Sequence, residues 1–170
     1  IFDLDGTLTV SDKEIQKQAA TTLLSTGKSP HIPKAYPAAK QVTKAYAQQD
    51  VLPIYLSGRP YWFGQWSRRW LNRGYAPGPV ILTRKHRQVA PTNQGVGQCK
   101  FAQLQKLKQL GLTIVAAHGN ATTDIFAYQK AKVSPVYIIG PHGGQKKTQR
   151  ISGSWQSLVD RLNKRAAKDK

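Results

Sequence analysis

No stretch of the chain approaches the ~18 consecutive apolar residues of a membrane-crossing helix, which excludes a transmembrane segment of that kind. Cysteine is almost missing: Cys99 stands alone, so no internal disulfide framework and no cysteine-rich zinc centre can hold the fold. A single thiol leaves the redox compartment open. Repeats and low-complexity tracts are also lacking. Acids are scarce, 8 against 26 lysines and arginines, for a formal charge of +18. None occurs between Asp50 and Asp124, while Arg59, Arg68, Arg69, Arg73, Arg84, Lys85, Arg87, Lys100, Lys106 and Lys108 fall there. Such an imbalance draws a protein to anionic partners: phospholipid surfaces, nucleic acid or phosphorylated small molecules.

What is present reads as one domain over residues 1–170, with 39% hydrophobic residues. The sequence opens on Ile1-Phe2-Asp3, already the end of a strand. That reading expects a natural start further upstream and leaves open whether a signal peptide precedes it. Short apolar runs recur at Val51–Leu56, Pro79–Leu82, Thr113–Ala117 and Val136–Ile139. Helical stretches lie between them, among them Phe101, Leu104, Leu107 and Leu110, closed by Gly111. Strands alternating with helices predict an α/β fold, a Rossmann-like doubly wound parallel sheet. Ser25–Pro37 reads as an irregular loop. Residues 151–170 read as a basic C-terminal helix whose Trp155, Leu158, Val159 and Leu162 dock on the domain.

In such a sheet, ligands bind beyond the carboxyl ends of the strands. Asp3 and Asp5 stand at that end of the first strand, in Phe2-Asp3-Leu4-Asp5-Gly6-Thr7. Two carboxylates two residues apart on extended chain point the same way and repel each other unless a cation binds. A hard ion such as Mg²⁺ accepts one or two carboxylates while keeping waters. Ser57-Gly58-Arg59 is expected just past the second strand. Lys100 opens a helix, where its ammonium can reach a phosphate. Gly119-Asn120-Ala121-Thr122-Thr123-Asp124 follows a later strand and ends the acid-free stretch. Each feature alone reads as a turn, a solvated lysine or a helix cap.

Together, in this order, they resemble the four-part constellation of the haloacid dehalogenase superfamily. Asp3-Leu4-Asp5-Gly6-Thr7-Leu8-Thr9-Val10-Ser11-Asp12 is similar to the DxDGTxTxSD stretch of the lipin-type, Mg²⁺-dependent phosphatidate phosphatases. Gly78-Pro79-Val80-Ile81-Leu82 resembles that family's GPxLL segment, and Gly119–Tyr128 resembles its GNRxxDxxAY segment with Ala121 in place of arginine. The resemblance covers about residues 1–144. It implies Asp3 as nucleophile, Asp5 as general acid and base, and Ser57 and Lys100 on the phosphoryl oxygens. It further implies substrate contacts from Gly6, Thr7, Gly58 and Arg59, and Mg²⁺ held by Asp3, Asp5 and either Asn120 or Asp124. Related domains of lipid-transfer proteins have lost the nucleophile and bind phosphatidate without turnover; this chain keeps both aspartates.

The intervals from Asp5 to Ser57 and from Ser57 to Lys100 leave little or no chain for a cap domain. An open site admits a phosphate on a bulky body. Phosphatidate at a membrane surface is the first expectation, a polynucleotide end or a small phosphate ester the second, and a phosphatidate-binding module the third. The expected placement is soluble or peripheral to a membrane, with compartment and oligomeric state open. Trp62, Trp66 and Trp70 repeat every four residues with Arg68, Arg69 and Arg73 interleaved, which fits either core packing or an interfacial patch. Cys99, His118 and His142 are expected in ordinary packing or surface roles.

Overall fold

The computed structural model describes residues 1–24, 31–84 and 90–167. Within them the short strands β1 (Tyr55–Pro60), β2 (Val80–Thr83), β3 (Ala117–Gly119), β4 (Val136–Ile139) and β5 (Gln149–Ile151) pair in parallel. Phe2 joins the two halves, bridging Tyr55 on one side and His118 on the other. The sheet therefore runs β2-β1-Phe2-β3-β4-β5, which in chain order is the doubly wound 3-2-1-4-5-6 arrangement.

Among the described residues six α-helices accompany the sheet: α1 (Lys13–Leu24), α2 (Ala39–Ala47), α3 (Gly64–Leu71), α4 (Gln98–Gln109), α5 (Thr122–Lys130) and α6 (Gln156–Ala166). Alternation along the strands divides the core between the two faces. On β4, Tyr137 and Ile139 join a cluster with Val42 and Tyr46 of α2, Trp70 of α3 and Leu158 and Leu162 of α6. Val136 and Ile138 join the opposite cluster with Leu104 of α4 and Ile125 and Tyr128 of α5. The expected docking of the C-terminal stripe holds, but the helix begins at Gln156 rather than 151, where β5 still runs. Trp155 is fully buried and its indole N–H donates to the Thr7 carbonyl at 3.0 Å. Gly111 follows α4 with φ of +82°, the left-handed exit expected of it.

Two strands start later than their apolar runs. β1 begins at Tyr55, not Val51, and β3 at Ala117, not Thr113. The reason is pairing. At the central position Phe2 N–H donates to Ile54 O, Leu56 N–H to Phe2 O, Asp3 N–H to His118 O and His118 N–H to Ile1 O, while Tyr55 and Ala117 begin the outward pairing with β2 and β4. Ser57-Gly58-Arg59 consequently lies inside β1 rather than after it. Of the expected loop at Ser25–Pro37, residues 25–30 lie outside the described residues, and 31–37 run without helix. The tryptophans part company: Trp70 is core, Trp66 half-buried and Trp62, on a 3-10 turn (Tyr61–Phe63), is 50% exposed.

Candidate active site

The chain leaves the central strand in one tight coil. The N–H groups of Thr7, Leu8 and Thr9 all point to the Leu4 carbonyl, at 3.3, 2.9 and 3.0 Å. Gly6 turns the coil with φ of +68°, and a Cβ there would lie 2.2 Å from Asn120 Nδ2 and 2.5 Å from Asp12 Oδ1. Glycine is thus required twice over, by backbone conformation and by the side chains seated against it. The chain then forms a narrow antiparallel contact, Thr9 against Ala35, with Val10 N–H to Lys34 O and Tyr36 N–H to Leu8 O. α1 projects between these two segments, and its neighbour Asp12 with Ile15 and Gln16 lines a cavity of about 360 Å³. Among the described residues, one helix rather than a cap domain stands beside the open site.

At the base of the cavity, Lys100 bridges two carboxylates. Its Nζ donates to Asp3 Oδ1 at 2.7 Å and to Asp124 Oδ1 at 2.5 Å, and all three side chains are buried. Burial by itself would lower the ammonium's pKa, but Asp124 and Asp3 together raise it above the ordinary lysine value. Lys100 sits in the first turn of α4, entered through a π-helical turn (Asn93–Gly97). Asp124 is placed by α5: its Oδ2 accepts the N–H groups of Asn120 and Ala121 at 3.0 and 3.1 Å, capping the helix. Gly119 makes room for it, since a Cβ there would stand 2.6–2.7 Å from the Asp124 side chain. The Thr7 hydroxyl lies 3.2 Å from Asp3 Oδ2 and 3.0 Å from Asn120 Oδ1, where its one proton serves either acceptor. Ser57, buried, faces the same cavity with Gly58.

Arg59 differs from the sequence expectation. Arg59 Nε and Nη2 hold Asp5 Oδ2 and Oδ1 at 2.8 and 2.7 Å, while Nη1 donates to Ser67 Oγ of α3 at 3.0 Å. The guanidinium is fully buried and three of its five N–H groups are committed to Asp5 and Ser67, so Arg59 positions Asp5.

The donors of this cavity fit a hard divalent cation. Four of the chain's 8 acids, Asp3, Asp5, Asp12 and Asp124, line this one cavity against two cations, Arg59 and Lys100. Desolvation drives the Asp3 carboxyl well above the usual carboxylate range, with Asp124 and Asp5 adding repulsion and Lys100 opposing it. Burial raises Asp12 as well. An uncompensated negative cavity in a strongly basic chain is an invitation to a cation. Among the described residues no three acid, histidine or cysteine side chains gather at ligand distance. The oxygens available to such an ion are those of Asp3, Asp5 and Asp124 with the neutral oxygen of Asn120, completed by water, the mixture Mg²⁺ favours.

Asp12, at the end of the stretch that begins with Asp3, is a further residue of the site. Its Oδ1 accepts from Asn120 Nδ2 at 3.3 Å, which carries the Ser11-Asp12 end of the motif into the site. Pro91 and Val96, on the approach to α4, had no sequence signal of their own. Cys99 is buried on α4. His118 is buried and stacked on Phe2 at 4.1 Å, with burial holding its pKa well below the ordinary value, so it is a packing residue.

The family model described as "PITM 1-3, LNS2 domain" matches residues 1–140. No curated protein matches the chain. Among solved structures, a D,D-heptose 1,7-bisphosphate phosphatase from B. bronchiseptica, complexed with magnesium and phosphate, superposes with a TM-score of 0.62 at 10% identity, covering 96% of this chain and 97% of that one. The cobalt-bound deoxy-D-mannose-octulosonate 8-phosphate phosphatase of Haemophilus influenzae gives 0.61 at 18% identity, covering 98% and 84%. Both are phosphatases of the haloacid dehalogenase fold, and that is the fold of this chain.

Proposed function

The chain belongs to the LNS2 domain family of PITM 1-3, and from that premise we propose that it is a divalent-metal-dependent phosphomonoesterase, working through an aspartyl-phosphate, whose substrate is phosphatidate. The observation that carries this reading is the convergence of Asp3, Lys100 and Asp124, from three separate segments, beside Asp5 and Ser57 in one open cavity. The two phosphatases sharing the fold, one with magnesium and phosphate and one with cobalt, support phosphoryl chemistry and a divalent ion there.

Asp3, Asp5 and either Asn120 or Asp124 would hold the cation, which when bound offsets the repulsion between phosphate and attacking carboxylate. An Asp3 oxygen attacks phosphorus as the bond to the leaving oxygen breaks, and Asp5 delivers the proton that oxygen needs. Asp5 then takes a proton from water, whose oxygen attacks phosphorus, releasing inorganic phosphate and restoring Asp3. Lys100 and Ser57 steady the phosphoryl oxygens. Arg59 keeps Asp5 aimed through both steps.

Phosphatidate is favoured over other esters by the lipin-like motifs, the absence of a cap domain and the +18 charge. The test is phosphate release from phosphatidate vesicles with and without Mg²⁺, beside a 3′-phosphorylated oligonucleotide and a small phosphate ester. Release from vesicles, dependent on the cation and lost in Asp3→Asn, is the expected result. Release only from the oligonucleotide or the ester overturns the lipid substrate. Vesicle binding without release of phosphate from any substrate overturns the enzyme and leaves a binding module.

A further inference from the structure

A second surface lies next to the cavity and is not used by the chemistry above. Pro60 lines the cavity, and Tyr61 and Trp62 follow it directly, 62% and 50% exposed with their rings in edge contact. Trp66 and Arg69 of α3 are flanked by Trp62 on the preceding 3-10 turn and by Arg73 in the turn after the helix, with Arg69 and Arg73 exposed and Trp66 half-buried. Against these residues runs the segment His31-Ile32-Pro33, with Ile32 50% exposed. Trp66, Trp70, Arg69 and Arg73 from one side and His31, Ile32 and Pro33 from the other enclose a groove of about 270 Å³. The Trp70 indole donates to the Pro33 carbonyl at 2.8 Å, which fixes the groove's floor.

We propose that this face is where the protein docks on an anionic bilayer, with Tyr61, Trp62 and Ile32 entering the interface and Arg69 and Arg73 meeting lipid phosphates at the groove. Large side chains that are half in water on a rigid turn are unfavourable unless something covers them, and tryptophan and tyrosine favour the headgroup level of a membrane. Two arginines one turn apart supply planar donors for phosphate. No acid occurs from Val51 to Thr123, so the face meets a negative surface without carboxylates from its own stretch. The aliphatic Ile32 at the rim favours a bilayer over a polynucleotide, which would stack on the rings but has no use for a branched alkyl group. The inference rests on the proposed lipid substrate only for its purpose; docking itself is separable from turnover.

The test uses vesicles of phosphatidylcholine alone and with phosphatidylglycerol, an anionic lipid that carries no phosphomonoester. Wild type should float with the anionic vesicles and not with the neutral ones. Tyr61→Ser/Trp62→Ser and Arg69→Gln/Arg73→Gln should each reduce flotation at least tenfold while hydrolysis of a small soluble ester is unchanged. Brominated lipids should quench wild-type tryptophan emission, because Trp70 and Trp155 are buried and Trp62 is not; the serine variant should lose most of that quenching. Wild type that fails to float, or variants that float as well as wild type, overturn the proposal. So does a loss confined to oligonucleotide binding, which would assign the face to nucleic acid. Flotation that behaves as expected, in a protein that hydrolyses nothing, overturns the catalytic reading and leaves the docking face standing.

Discussion

Arg59 occupies both carboxylate oxygens of Asp5, at 2.7 and 2.8 Å, across 54 positions of sequence. The pair ties the exit of the central strand to β1, and Ser67 extends the tie to α3. A lysine at this position keeps the charge and loses the two-pronged grip. Arg59→Lys should therefore lower phosphate release more than tenfold and shift its pH profile, since Asp5 would no longer be held in one orientation. The thermal midpoint should fall by only a few degrees. Unchanged activity and an unchanged pH profile would mean that Arg59 does not position Asp5.

Lys100 is the counter-charge between Asp3 and Asp124. Removing it in Lys100→Met leaves two buried carboxylates facing each other, and breaking such an arrangement costs about 3–5 kcal/mol. A divalent cation would take over the same task. Differential scanning calorimetry should show a large loss of stability without Mg²⁺ and a larger Mg²⁺-induced rise than in wild type. An equal response in both proteins would count against a cation between these carboxylates.

Gly6→Ala combines a left-handed backbone, costing about 1–2 kcal/mol for an L-residue, with a Cβ that must displace Asn120 and Asp12. Activity should suffer more than folding does, because the displaced groups belong to the site. Phosphate-release kinetics beside a denaturant titration would separate the two effects.

Glu14, at the first turn of α1, carries a pH dependence of its own. Burial pushes its carboxyl up, but the Lys34 N–H at 2.8 Å, His31 at 2.7 Å and Lys17 at 3.1 Å outweigh that and hold it at about 2. A carboxyl depressed in the folded state stabilises fully above its unfolded value of roughly 4.3, and the contribution is lost as pH falls toward the folded one. Glu14→Gln should be less stable than wild type at neutral pH by about 2 kcal/mol, and the difference should vanish between pH 5 and pH 2. Parallel melting curves at each pH read this directly.

The alternation of strands and helices was visible because buried parallel strands are short apolar runs, and the runs at Pro79–Leu82 and Val136–Ile139 coincide with β2 and β4 to within a residue. Strand limits at Tyr55 and Ala117 were not visible, since they depend on where β2, β4 and Phe2 come alongside. Asp3, Lys100 and Asp124 could be grouped because motif order stood in for geometry. The fate of Arg59 could not: its choice between a substrate and Asp5 is made by a contact with no trace in local sequence. The tryptophan spacing was correct as periodicity and misleading as a single face, because a 3-10 turn precedes α3 and rotates Trp62 outward.

The placement of the acids has a consequence for how the protein responds to ionic strength. Half of them line one cavity, with only Arg59 and Lys100 as cations beside them, while the rest of the chain carries the positive excess. Far from the surface, an approaching anion is attracted and an approaching cation repelled; inside the cavity the preference is reversed. Added salt shortens the reach of the outer field, to about 8 Å at physiological strength, and leaves the buried charges largely unscreened. Titrations across a salt series should then diverge: capture of anionic vesicles weakens as salt rises, and uptake of a divalent ion is eased. Two opposed salt slopes in one small chain would be the signature of a cation site wrapped in a basic shell.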